Sequence, residues 1–253
     1  MNKPAYLDCN CSVGRVVHPY IEDVVDAAGL RKELDAAGIE EALVFHTFAR
    51  DADPPEGNRL LMEAIAADSR MYPVWVVLPH HTGEMPRPDK LLVDMEAAGV
   101  KSVRMYPGKD HHSFSLAEWS VGELLAALEE ARIPLMLDAE IVCWEAIASI
   151  LDAHPRLPVI AINVGYRHDR FCYPLFELYP NLYVELSRFF GAGVLEDIVA
   201  RFGTRPPVLF GTNLPHFAGT TSVSMLAYAD IPEESKRAIA GGTLRKLLGE
   251  VYS

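Results

Sequence analysis

An α/β chain closed into a single (β/α)8 (TIM) barrel is the fold the sequence predicts, and three observations carry it. Eight short β-type runs recur along 253 residues, their starts 35, 31, 29, 33, 24, 24 and 25 residues apart. Amphipathic stretches of helical period fill the gaps between them. Several of the runs are continuously apolar, as parallel strands covered by helices are. Eight βα units of roughly 30 residues match a barrel of about 250. A doubly wound open sheet would give the same alternation. However, no GxGxxG or GxxxxGK[ST] follows any of the runs, which removes the strongest support for a nucleotide-binding sheet.

In chain order the runs are YLDCN (6–10), EALVFH (41–46), YPVWVVL (72–78), KSVRMY (101–106), PLMLDA (134–139), PVIAIN (158–163), LYVELS (182–187) and PVLFGT (207–212). The stretch MPRPDK (85–90), after the third run, reads as an ordinary βα loop. Between the fourth and fifth runs, LAEWSVGELLAALEEA (116–131) places Leu124, Leu125 and Leu128 on one helix face. After the eighth, PEESKRAIAGGTLRKLL (232–248) opens with Pro and Glu, which suit a helix start. No Ser/Gly/Pro tract or charge block divides the chain, so one domain over residues 1–253 is expected.

Half of the residues are hydrophobic, which excludes a disordered chain, and 23 basic against 35 acidic residues leave a net charge of −12. That balance, without a long Lys/Arg cluster, argues against nucleic acid or an anionic membrane as partner. No run of eighteen apolar residues is present, so no membrane span is expected. The start, MNKPAYLDC, lacks an apolar signal-peptide core, and a cytoplasmic location is the expectation. The four cysteines, Cys9, Cys11, Cys143 and Cys172, form one CxC pair and two singles and read as reduced, mostly buried thiols. Oligomeric state is left open, a homo-oligomer included.

Barrel active sites sit at the C-terminal ends of the strands, so the residues there hold the chemistry. Alternation along the first run puts Asp8, Asn10 and Ser12 on one side and Cys9 and Cys11 on the other, toward the helices. The second run ends at His46 and the fourth carries Arg104 among apolar residues. The fifth ends Asp138-Ala139-Glu140, the sixth at Asn163, and the seventh reads Glu185-Leu186-Ser187-Arg188. Gly211-Thr212-Asn213-Leu214-Pro215-His216 follows the eighth.

With these landmarks the chain resembles the amidohydrolase superfamily, in the amidohydrolase-related branch of metal-dependent hydrolases and decarboxylases. The resemblance spans essentially the whole chain: LDCNCSVG, SVRMYP (102–107), IPLMLDAE (133–140), VIAINVG (159–165), LFGTNLP (209–215) and AIAGGTLRKLL (238–248). The resemblance implies an HxH pair on the first strand, a His ending the fifth and sixth, and an Asp after the eighth. Here those positions hold Asn10 and Ser12, Asp138, Asn163 and Asn213. Neutral amides and a hydroxyl are weak ligands for Zn, Mn or Fe, and only Asp138 is anionic. No catalytic metal and no other cofactor is therefore expected. The adjacent pairs His80-His81 and His111-His112 lack the i, i+4 spacing of a helical metal site and read as solvated loop residues.

Three functions follow as expectations. In the first, a metal-independent enzyme acts on a small carboxylate-bearing compound. Arg104, helped by Arg15 and Arg188, would clamp the anion; Asn10, Ser12, Asn163, Asn213 and His216 would bind its polar atoms; Asp138 or His46 would move a proton. The second is a non-catalytic ligand-binding descendant, and the third a metallohydrolase with an unusual ligand set. Arg104 has an equal structural reading, an ion pair with Asp138, Glu140 or Glu185. Asp8 has one too, as a hydrogen-bond acceptor at the barrel floor.

Overall fold

The computed structural model describes residues 4–18, 21–189, 191–203 and 206–253. Residues 1–3, where the reading of the start began, lie outside them. The strands are β1 (Leu7–His18), β2 (Ile21–Val25), β3 (Glu41–His46), β4 (Met71–Pro73), β5 (Trp75–Val76), β6 (Val103–Met105), β7 (Leu135–Asp138), β8 (Val159–Ile162), β9 (Leu182–Glu185) and β10 (Val208–Leu209). The helices are α1 (Ala27–Ala37), α2 (Thr47–Asp51), α3 (Pro54–Ile65), α4 (Pro88–Ala97), α5 (Glu118–Glu130), α6 (Trp144–Ala153), α7 (Asp169–Leu178), α8 (Val194–Phe202), α9 (Gly219–Tyr228), α10 (Glu233–Arg237) and α11 (Thr243–Gly249).

Two sheets, ordered β2-β1-β3-β4 and β10-β9-β8-β7-β6-β5, join into one barrel. At one junction a single predicted strand is split at Val74. Its first half pairs with β3 and its second with β6, so the chain passes from one neighbour to the next. At the other, Cys9 N–H donates to the Phe210 carbonyl (3.0 Å) and Ser12 N–H to the Leu214 carbonyl (2.9 Å), closing β10 onto β1. Every barrel pairing is parallel. The (β/α)8 expectation holds, with all eight runs in place.

Two details differ from the expectation. The first strand continues to His18 and turns back as β2, an antiparallel arm paired from Gly14↔Val25 to His18↔Ile21. Arg15 therefore stands on that arm rather than in a loop. Gly14 (φ +105°) makes the exit, because a Cβ there would lie 2.5 Å from Thr47 Oγ1. The second difference is a register shift between Asp8 and Cys11 against β3. Strict alternation fails across such a bulge. Cys11 does pack toward the helices, but Cys9 sits in the barrel-interior cluster with Leu7, Leu43, Phe45, Met136 and Leu209.

A second, larger apolar layer lies between strands and helices. In α5 it receives Leu124, Leu125 and Leu128, the face that the periodicity picked out. The terminal segment forms α10 and α11 with a kink at Gly241, inside Ala238–Gly242, between them. Gly241 there runs against β1, where an added Cβ would lie 3.1 Å from Leu7 N.

Candidate active site at the strand C-termini

One local device recurs in four barrel strands, at the ends of three and at the bulge of β1. A side-chain acceptor at residue i takes the backbone N–H of residue i+2, satisfying a donor that has left the regular ladder. Asp8 takes Asn10 N–H (2.9 Å), His46 Nδ1 takes Phe48 N–H (3.1 Å), Asp138 takes Glu140 N–H (2.9 Å) and Glu185 takes Ser187 N–H (3.0 Å). For His46 the result is the N-cap of α2. Burial holds its imidazole below the ordinary histidine value, and with Nδ1 accepting, the proton sits on Nε2.

Above this layer the predicted polar residues meet. Asn163 Nδ2 donates to Asp138 Oδ2 (2.6 Å), while Asn163 Oδ1 accepts from Asn213 Nδ2 (2.9 Å) and, at 3.5 Å, from Asn10 Nδ2. The four residues standing at expected ligand positions on the first, fifth, sixth and eighth predicted strands thus form one hydrogen-bonded chain. Asn163 (φ +57°) and Asn213 (φ +56°) both adopt the left-handed conformation, which asparagine tolerates better than most side chains. The fifth such residue, Ser12, is buried, and among the described residues its Oγ has no partner.

Two further buried carboxylates hold this chain from beneath. Asp8 accepts from Thr212 N–H (3.1 Å) and from its hydroxyl as well as from Asn10 N–H, fixing the chain on both flanks of the β10–β1 seam. Its reading as a structural acceptor agrees with this. Glu185 accepts from Asn163 N–H (3.0 Å) and from both donors of Ser187. Burial pushes Asp8, Asp138 and Glu185 above their ordinary carboxyl values, and these hydrogen bonds pull the other way.

Arg104 is 1% exposed and reaches across the barrel interior from β6 to β1. Nη2 donates to the Cys9 carbonyl (3.2 Å), Nη1 to the Tyr106 hydroxyl (3.3 Å), and the guanidinium carbon lies 4.3 Å from the Phe45 ring centre. The expected structural ion pair is absent: among the described residues no carboxylate lies within ion-pair distance of Arg104. Glu185 and Asp138 are engaged with backbone and amide donors, and Glu140 pairs with Arg188. Among the described residues Arg104 Nε has no acceptor.

The remaining predicted residues lie around the rim. Arg188, bound to Glu140, stands 6.0 Å from the Phe217 ring. The backbone N–H of His216 donates to Asn213 O (2.8 Å), which places it one turn above the amide chain. Arg15 is exposed and lines, with His46, Arg50 and Asp51, a cavity of about 500 Å³. His111 stacks on Tyr106 (5.7 Å) and His112 reaches Ala49 O (2.9 Å), so neither is a free loop residue. Tyr106 was missed by the sequence reading because it looks like a core aromatic; its i+2 parity with Arg104 was the available signal. Among the described residues, no three His, Cys, Asp or Glu side chains gather as metal donors.

The comparisons with known proteins agree with this architecture. A family model described as Amidohydrolase matches residues 14–249. The chain belongs to the amidohydrolase family. Three solved structures illustrate the shared fold of this amidohydrolase-family barrel. An uncharacterised TIM-barrel protein from Bordetella bronchiseptica has a TM-score of 0.71 at 16% identity, covering 96% of this chain and 99% of that one. A 2,6-dihydroxybenzoate decarboxylase from Rhizobium has a TM-score of 0.67 at 16% identity, covering 98% and 99%. A 5-carboxyvanillate decarboxylase from Novosphingobium aromaticivorans, complexed with manganese and 4-hydroxy-3-methoxy-5-nitrobenzoic acid, has a TM-score of 0.72 at 13% identity, covering 97% and 96%. No curated protein matches the sequence. Among the described residues no helix is long and apolar enough to cross a membrane.

Proposed function

We propose that this amidohydrolase-family protein is a metal-independent enzyme that binds a small carboxylate-bearing compound at the strand C-termini and moves a proton through Asp138. The observation that carries the reading is the chain Asp138–Asn163–Asn213/Asn10 standing beside a buried, unpaired Arg104. A divalent metal does not fit this donor set. Asn163 Oδ1 is spent on two neighbouring amides, Ser12 offers a hydroxyl, and Asp138 is the one anionic donor of the five. No step of the proposed reaction runs through a metal.

In this reading Arg104 neutralises the substrate carboxylate, and Ser12 Oγ and the open amide groups of Asn10 and Asn213 take its polar atoms. Asp138, level with them and held by Glu140 N–H and Asn163, accepts the proton. Arg15, Arg188 and His216 guard the entrance, and His46 serves as a donor through Nε2, its other nitrogen being a cap. The 4-hydroxy-3-methoxy-5-nitrobenzoic acid named with the solved 5-carboxyvanillate decarboxylase supports the substrate class. A screen of small carboxylates, amides and lactones, run with and without chelator, tests it. Turnover that survives chelation and falls in Asp138→Asn is expected; turnover that requires added metal would sink it.

A second reading, a ligand-binding protein without turnover, draws on the occupied acceptors in four barrel strands, His46 Nδ1 among them. Binding of a carboxylate with no conversion in the same screen is its signature.

A further inference from the structure

We propose that Tyr106 and Arg104 together form a subsite for a monoanionic carboxylate inside the barrel, with the Tyr106 hydroxyl as a direct ligand contact. The inference rests on the carboxylate-binding reading above and adds to it a residue and a charge class. Both side chains project inward from β6 and its C-terminal end, two residues apart, and both are almost fully buried (1% and 2% exposed).

Their hydrogen bonds define what the subsite can accept. Tyr106 Oη receives Arg104 Nη1 (3.3 Å), so its own proton is left to donate, and among the described residues nothing accepts it. Arg104 Nε is an unpartnered donor, enclosed by protein. Two buried donors with no acceptor, one of them on a full positive charge, are costly unless an anion answers both. The carboxylate is the group whose two oxygens could take one donor each. Phe45 covers one face of the guanidinium at 4.3 Å and packs 6.0 Å from the Tyr106 ring, walling the subsite with apolar surface.

The surroundings set the charge. The register of β6 on β7 (Arg104↔Met136, Met105↔Leu137) continues to bring Tyr106 beside Asp138. Asp8 and Glu185 are buried across the barrel floor, and the whole chain carries −12. Arg50, 5.8 Å from the Phe45 ring, is held by Asp51, which leaves Arg104 as the arginine turned to the ligand. Beside so many carboxyl groups a phosphate dianion meets stronger repulsion than a singly charged carboxylate. The site therefore favours carboxylate over phosphate.

Calorimetric titration of the full chain with acetate, benzoate and inorganic phosphate in its dianionic form, in wild type and Tyr106→Phe, decides the matter. The expected result is that at least one carboxylate binds wild type and phosphate binds about tenfold or more weakly. Tyr106→Phe should weaken the carboxylate on the order of 10- to 100-fold, the worth of a hydrogen bond to a charged group, in a variant that still folds. Equal carboxylate affinity in folded Tyr106→Phe overturns the role of Tyr106 and leaves the carboxylate reading standing. Phosphate binding as tight as carboxylate overturns the charge class, a result wild type gives even where the variant does not fold. Absence of binding by any of the carboxylates overturns the underlying reading together with this inference.

Discussion

A guanidinium as deeply buried as that of Arg104 costs several kcal/mol unless its charge is met. Its hydrogen bonds go to a carbonyl and a phenol, and Asp138 senses its charge from beyond ion-pair distance. If a ligand carboxylate supplies the missing partner, Arg104→Ala should weaken binding by about 2–5 kcal/mol in titration, with folding intact. Asp138 has a different task, and its substitution should separate binding from turnover. Asp138→Asn is expected to bind ligand and to lose about 10²- to 10⁴-fold in turnover. Because burial raises the Asp138 carboxyl, the acidic limb of the wild-type pH–rate profile should lie above the ordinary aspartate range and vanish in the variant. Wild-type rates in Asp138→Asn would remove it from the mechanism. The polar residues at the strand ends were legible because parity and the barrel rule place them together. The partner of Arg104 was not, since three nearby carboxylates look equally suited until the backbone N–H groups they serve are seen.

At the scale of elements, the strand ends depend on close packing that the sequence hides. Glu185 crosses from β9 to the end of β10, where Gly211 leaves it room. A Cβ at Gly211 would press on Glu185 Oε2 and lie 3.2 Å from Cys9 Sγ. Gly211→Ala should therefore destabilise the fold by about 1–3 kcal/mol in denaturant titration, as overpacking does. Glu185 also gives a pH signature. Its folded carboxyl is raised by burial, so the stability it contributes is full below the ordinary glutamate range and is lost as pH rises through the raised value. The stability of wild type relative to Glu185→Gln should decline as pH rises through that window; a difference independent of pH would contradict it. Eight strands were readable from apolar runs and spacing. The β2 arm, the bulge between Asp8 and Cys11 and the break at Val74 were not, because each is set by contacts with a distant segment and not by local pattern.

For the molecule as a whole, an amidohydrolase-family barrel carries a hydrogen-bonded set of polar residues at its strand C-termini. Asn10, Asn163 and Asn213 bond to one another there, and the buried carboxyl groups of Asp8 and Glu185 hold the backbone beneath them. Arg104 brings a fully buried positive charge into this space, with Arg50 beside it held by Asp51. Carboxylate affinity measured by calorimetry before and after exhaustive chelation tests this account most directly. The account predicts the same dissociation constant in both titrations. Binding lost on chelation and restored by one equivalent of manganese or zinc would contradict it.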